Sequence, residues 1–443
     1  MTPHNHHHHP KSAPIPLIIV DGFLGCGSAV LWGKFSRFLN ISSEKCENRR
    51  IIFVRVGPVS SLHDRACELY YALTGGTVDY GADHAKLHKH ARYGRVNKAG
   101  MYPQWSPEQP LHFLGHSIGG STIIKLQFLL KQRYFGPHVH PDMVLSVNTI
   151  SAPFRGTQLV YILGECADAA PAVRPLSIGS LLSKWVHLVA FFSPLLPELL
   201  DLHVEARSLS FRDMSPVSLL KQLWKSDWAE SHDAAPYDMT FEAADEREST
   251  LEGRAHPRTF YRSHVASLNS RLLTSSLPTS PLSSILSQPF RLLSHPISTF
   301  DYSVIQPAPS FLENDALILS SVSRSSDVVK NTSSTVYSST LREEYKENDG
   351  IVPLFSQWHP LPCRSTQCRH FEHSKNFTLP SPDPGTWNVY HMDAANHISL
   401  APCWTGNFQQ RYFWTSLGQW LYSIDDHRHL HNSFSTDELD QYN

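Results

Sequence analysis

Residues 111–130, LHFLGHSIGGSTIIKLQFLL, decide how the rest of the chain is read. Leu111 to Leu114 form a short apolar run suited to a buried strand, and Ile118 through Leu130 are apolar enough for a buried helix. Between them Gly115, Ser117 and Gly119 match G-x-S-x-G, which puts a serine on a sharp strand-to-helix turn. A larger residue at either glycine would clash there. Both flanking elements and both glycines are present, so Ser117 is the candidate nucleophile.

Two distant segments complete a catalytic set. ENDGIV contains Asp349 and NHISLA contains His397, giving a carboxylate and a base after the serine. An Asp in N-D-G is usually a turn residue, and a lone His is usually exposed or a core hydrogen-bonder. Their joint occurrence in the order Ser, Asp, His overrides those readings, because this is the order found in the α/β-hydrolase fold.

Composition narrows the partners. The 443 residues carry a formal net charge of −2, with no basic footprint for nucleic acid, so a neutral or apolar substrate is expected. Seven cysteines, Cys26, Cys46, Cys67, Cys166, Cys363, Cys368 and Cys403, are too scattered for a disulfide scaffold. Cys363 and Cys368 could pair, but free thiols are the expectation. The start, MTPHNHHHHPKSAPIP, lacks the apolar core of a secretory signal. That reads as cytoplasmic by default, or extracellular if a leader precedes it. N-x-[ST] tripeptides at Asn40, Asn331 and Asn376 would matter only in a secreted protein.

Continuous apolar runs at Leu17 to Val20, Ile51 to Val56 and Met143 to Ile150 read as central strands buried on both faces. Strand alternating with helix implies an α/β fold with a mainly parallel central sheet flanked by helices. A single domain over 15–425 is expected, with a disordered tail at 1–14 and a polar C-terminal tail at 426–443. Within it, an insertion spans about 60–100, a lid region about 172–250 and an irregular Ser-rich insertion about 265–340. From Leu181 to Leu202 apolar residues recur near the helical spacing. Lys184, His187, Pro194, Pro197 and Glu198 argue against a transmembrane segment. A buried helix and a lid over the active site are the two readings that remain. No internal repeat is found.

The stretch SLHDRACELYYALTGGTVDYGADHAKLHKHARYGR, from Ser61, resembles one in the zinc-containing triacylglycerol lipases of thermophilic bacilli, to which staphylococcal lipases are related. The similarity runs from about Pro16 to Gly164, returns at AAPYDM near Asp238 and RTFYRS near residue 260, and reappears in ENDGIV and from Trp387 to His397. The resemblance implies Ser117 as nucleophile, Asp349 as triad acid and His397 as base, with His391 the competitor for the last role. It implies oxyanion donors at the amides of Ile118 and Phe23. It also exposes a departure: the family's His-Gly-Phe is Asp21-Gly22-Phe23 here, and an extra carboxylate near a forming anion is unhelpful unless turned away or paired.

The resemblance further implies a structural zinc site at Asp64, His84, His90 and Asp238, pinning the insertion to the lid region. His88, inside the same cluster, receives no role and is expected to be exposed. The family's calcium ligands fall on Ser399 and Trp404, which offer no carboxylate, so no calcium site of that type is expected. The function implied is a serine carboxylic-ester hydrolase, most readily a lipase using an acyl-Ser117 intermediate on a lipidic ester at a lipid–water interface. A phospholipase or acyltransferase with the same triad, or a catalytically impaired hydrolase-fold binding protein, are the alternatives. Oligomeric state is not read from these residues.

Overall fold

The computed structural model describes residues 13–25, 29–41, 47–197, 200–268, 281–312, 343–371 and 382–440. The run of four histidines, Cys26, Cys46, Asn331, Asn376 and much of the Ser-rich insertion lie outside those residues.

Nine strands are found among the described residues: β1 (Leu17–Val20), β2 (Ile51–Val54), β3 (Gly76–Asp79), β4 (Tyr93–Asn97), β5 (Leu111–His116), β6 (Val144–Ile150), β7 (Phe260–Ser267), β8 (Cys368–Phe371) and β9 (Trp387–Asp393). Seven form one sheet in the order β2-β1-β5-β6-β7-β9-β8, with every neighbouring pair parallel. Strands β3 and β4 pair separately as an antiparallel ribbon inside the expected insertion, with a short helix over Ala82–His88 between them. The mainly parallel sheet with flanking helices is the α/β-hydrolase architecture expected from the sequence.

The continuous apolar runs owe their composition to burial on both faces. Successive side chains of a strand point to opposite faces. In β1, Ile18 and Val20 join one hydrophobic cluster while Leu17 and Ile19 join another. The first cluster packs helices α1 (Leu62–Thr74) and α2 (Ile118–Lys131) against the sheet. The second packs the C-terminal helix through Phe413, Trp414, Leu417, Trp420, Leu421 and Ile424.

Helix α3 (Ile178–Phe192) and helix α4 (Pro216–Trp224) lie in the expected lid region. Val186, Val189 and Ala190 of α3 pack into the protein, whereas Ile178, Leu181, Trp185, Leu188 and Phe192 are exposed. Val217, Leu220 and Trp224 of α4 are exposed as well. The span Ile178–Leu195 is long and apolar enough to cross a membrane by length and composition alone.

Two sequence expectations are corrected. Part of the Ser-rich stretch is regular, forming helix α5 (Pro281–Ser298) with Pro289 and Pro296 inside it. The expected polar tail from 426 continues the C-terminal helix, which runs over Phe408–Asp440. In α5 tertiary packing, with Ile297 buried and Phe290 against His397, outweighs a composition that local propensity alone would leave irregular.

Candidate active site and metal centre

Loops at the C-terminal ends of parallel strands are where an open α/β sheet gathers its functional groups. Ser117 stands between β5 and α2 with φ 53° and ψ −134°, a conformation that side chains seldom adopt. The turn is that tight because the backbone closes on itself: a Cβ at Gly119 would sit 2.2 Å from Val20 O, and one at Gly115 would sit 2.4 Å from Gly120 N. The Ser117 amide is held by Ile150 O at 2.9 Å, which fixes the elbow to β6.

Asp349 is brought beside the end of β7, where Leu268 N donates to Asn348 O at 2.8 Å. Its side chain is fully buried. Oδ1 accepts from the amides of Ile351 (2.9 Å) and Val352 (2.8 Å), leaving Oδ2 for His397 Nδ1 at 2.8 Å. The His397 amide also donates to Asp349 O at 3.0 Å, so backbone and side chain lock the same pair. The other face of the imidazole meets Phe290 of α5, with ring centroids 6.4 Å apart.

His116 lies beneath the base, with Nε2 2.9 Å from His397 O. Burial, reinforced by the neighbouring His397, lowers its pKa to about 3, so it stays neutral and acts as a donor to that carbonyl. His391, the other candidate base, is directed elsewhere, with Nε2 3.0 Å from His370 Nδ1.

Ser117, His116 and His397 border one cavity of about 370 Å³, within the usual range for small-molecule sites. Its walls are mostly apolar, including Phe23, Val160, Leu163, Leu182, Trp228 and Met239. Leu182 belongs to α3, so the helix expected as a lid contributes to the cavity wall. Among the described residues, no hydrogen bond joins the Ser117 hydroxyl to His397, and neither the Phe23 nor the Ile118 amide donates to a protein acceptor.

Asp21 is accounted for by two contacts. Its carboxylate accepts from Trp32 Nε1 at 2.7 Å, and its carbonyl accepts from Arg65 Nη2 at 2.6 Å. Arg65, fully buried, also donates to Gly57 O and Thr122 Oγ1, tying α1, α2 and the loop after β1 into one unit. Sequence reasoning passed over Arg65. Its signal was masked, because Asp64 and Glu68 stand beside it in the same helix and a basic residue there reads as a local ion pair.

Two groups of four donor side chains among the described residues could each hold a metal ion: Asp64, His84, His90 and Asp233, and His359, Cys363, Cys368 and His370. In the first, Asp233 stands where Asp238 was expected. Asp238 Oδ2 accepts from Leu62 N at 2.6 Å and Oδ1 lies 3.5 Å from Arg247, so that carboxylate serves the start of α1. Asp233, five residues earlier, is 3.3 Å from both His84 and His90. His88 is half-buried beside His84, with ring centroids 4.6 Å apart, where exposure was expected.

The first group fits a cation on its own geometry. Asp64 Oδ1, His84 Nε2, His90 Nε2 and Asp233 Oδ1 are all buried and lack a hydrogen bond. A buried polar atom left unmatched is costly, and four converging on one point are what a bound cation resolves. Arg207 engages the outer oxygens of both aspartates, and His90 Nδ1 is 2.8 Å from Ala91 O, which fixes the ring.

A family model described as "Lipase-like, C-terminal domain" matches residues 14–267. Lipase 2 of Staphylococcus aureus is 26% identical over 370 residues, covering 78% of this chain and 45% of that protein. The lipase of Staphylococcus epidermidis is 36% identical over 174 residues, covering 34% of this chain and 25% of that protein. The chain thus spans under half the length of these curated relatives. The crystal structure of Staphylococcus hyicus lipase shares the fold with a TM-score of 0.63 and 22% identity, covering 96% of this chain and 97% of that one. On the match over residues 14–267, the chain belongs to the family of lipase-like C-terminal domains.

Proposed function

We propose that this chain is a serine carboxylic-ester hydrolase, a lipase that cleaves acylglycerols or other lipidic esters through an acyl-Ser117 intermediate. The observation that carries the reading is the 2.8 Å hydrogen bond between His397 and a fully buried Asp349, on the same apolar cavity as a serine held at a strained elbow. In this mechanism the His397 imidazole takes the Ser117 proton as the hydroxyl attacks the ester carbonyl, then returns it to the leaving alcohol. Asp349 holds the ring tautomer, with Nδ1–H committed to the carboxylate. The Phe23 and Ile118 amides receive the oxyanion, and the N-terminus of α2 adds its dipole. Contact between hydroxyl and imidazole is expected to tighten in the substrate complex, as catalytic hydrogen bonds in free enzymes are often long or misaligned. Water then repeats the cycle on the acyl-enzyme.

The lipidic preference is supported by the cavity wall and by the apolar faces of α3 and α4 that meet solvent. Residues 172–250 would act as the lid of one catalytic domain spanning 15–425. Exposed apolar faces of this extent favour a lipid surface.

Asp64, His84, His90 and Asp233 would hold a zinc ion. A zinc with all four positions taken by protein supplies a structural tie, here between the segment carrying Asp64 to His90 and the one carrying Asp233.

An ester panel from acetyl to oleoyl, run on the wild type and on Ser117→Ala, tests the function. Activity that rises when long-chain substrate passes its solubility limit, and its loss in the variant, is the expected result. A variant retaining most of the activity would refute the proposal.

A further inference from the structure

Thiol and imidazole donors converge at the β8 edge of the sheet, on residues that do not line the cavity holding Ser117. His359 directly follows helix α6 (Leu354–Trp358), Cys363 opens a short turn, and Cys368 and His370 lie on β8. Two positions apart on a strand, Cys368 and His370 present to the same face.

The distances from the Cys363 thiol to both imidazoles are those around a tetrahedral ion. All four donor atoms lie within 4.8 Å of one another. Cys363 Sγ is 3.4 Å from His359 Nε2 and 3.7 Å from His370 Nε2. A zinc ion with its usual bond lengths to sulfur and nitrogen holds such atoms about 3.5 Å apart. Both rings are oriented from behind: His359 Nδ1 is 2.6 Å from Leu361 O, and His370 Nδ1 is 3.0 Å from His391 Nε2. That leaves Nε2 of each ring facing the thiols, the arrangement that outer partners impose on metal-binding histidines. The two cysteines are free rather than joined.

We propose that His359, Cys363, Cys368 and His370 form a second zinc site, structural and chemically distinct from the carboxylate–histidine site. On binding, each thiol releases its proton to solvent and forms a zinc–sulfur bond, and each Nε2 donates its lone pair. Two thiolates neutralise the dication and no electron changes hands. The ion would fasten the segment that follows the Asp349 turn to β8. Strand β8 pairs with β9, whose His391 backs His370 and whose chain continues to His397. The site therefore braces both segments that carry the acid and the base, although the proposal itself does not require that the chain be a hydrolase.

The test uses the full chain purified with zinc supplied and then stripped of loosely held metal. Zinc per chain is measured on the wild type and on the double variant Cys363→Ser, Cys368→Ser. A drop of one zinc atom is expected, whatever the occupancy of the other site. Replacing zinc with cobalt(II) should give a thiolate-to-cobalt charge-transfer band in the wild type, which the sulfur-free Asp64 site cannot produce. Should the double variant fail to fold, thiol titration of the wild type decides: two thiols should become reactive for each zinc that a chelator releases from this site. Unchanged zinc content in a folded variant, no charge-transfer band, or a Cys363–Cys368 disulfide in zinc-supplied protein would overturn the proposal.

Discussion

Trp32 donates its indole N–H to Asp21 Oδ1 at 2.7 Å, directing the one acidic side chain of the loop after β1 toward a buried aromatic cluster. That contact answers the objection raised by an aspartate beside the proposed oxyanion donors. A hydrogen bond to a charged group is worth about 1.5–3 kcal/mol, so Trp32→Phe is expected to lower stability to urea by roughly that amount. It should also slow hydrolysis of a soluble ester, since a released carboxylate would oppose the forming anion. Equal stability and equal kcat/KM in the variant would show that the pairing does not matter.

The metal reading separates two aspartates that sit five residues apart. Asp233→Ala is expected to lose the zinc held with Asp64, His84 and His90, whereas Asp238→Ala should keep it and lose stability through the start of α1. Zinc analysis of both variants checks this. Chelation of the wild type should lower the melting temperature while leaving hydrolysis of a small ester intact at room temperature. Immediate, total loss of that activity would indicate a catalytic ion.

Glu165 supplies a pH signature at the cavity wall. Burial raises its pKa to about 7, above the ordinary 4.5, while its side chain accepts from the Ala172 amide at 2.8 Å. The folded protein therefore holds a proton that the unfolded chain releases, and stability falls as pH climbs from about 4.5 to about 7. Glu165→Gln keeps an acceptor for the amide and cannot ionise. It should be more stable than the wild type at pH 8 by on the order of 3 kcal/mol, with little difference at pH 4. Thermal melts at the two pH values decide it, and an equal gain at both would contradict the assignment.

The exposed face of α3 should matter for aggregated substrate alone. Trp185 and Leu188 are 40% and 41% exposed and do not line the cavity. Changing both to Ser is expected to lower activity on emulsified triacylglycerol by about tenfold, the scale of the apolar area removed, while a soluble ester is hydrolysed nearly as before. Equal losses on both substrates would place these residues in the chemistry or the fold instead of in surface binding.

What could be read from the chain follows the range of the forces involved. The Ser117 elbow was legible because steric crowding at Gly115 and Gly119 is local, and the central strands because burial on both faces leaves continuous apolar runs. The choice between Asp233 and Asp238 was not, since it turns on Leu62, which is remote in sequence and takes the Asp238 carboxylate as a partner for its amide. Helix α5 hides in a Ser- and Pro-rich stretch, yet it brings Phe290 against His397. The C-terminal helix continues past the point where polar composition suggested an end. The C-x4-C spacing of Cys363 and Cys368 is compatible with a zinc motif, but the group with His359 and His370 emerges only when β8 folds back beside α6.

The most direct measurement is labelling of the intact protein with a fluorophosphonate, with the adduct located by peptide mass spectrometry in the wild type and in His397→Ala. Because the reagent traps a serine only where base and oxyanion donors are assembled, one adduct on Ser117 is expected, forming at least about a hundredfold more slowly without the imidazole. A folded wild type that takes no label at Ser117, or labels equally fast after loss of His397, would contradict the assignment of this site as a serine hydrolase.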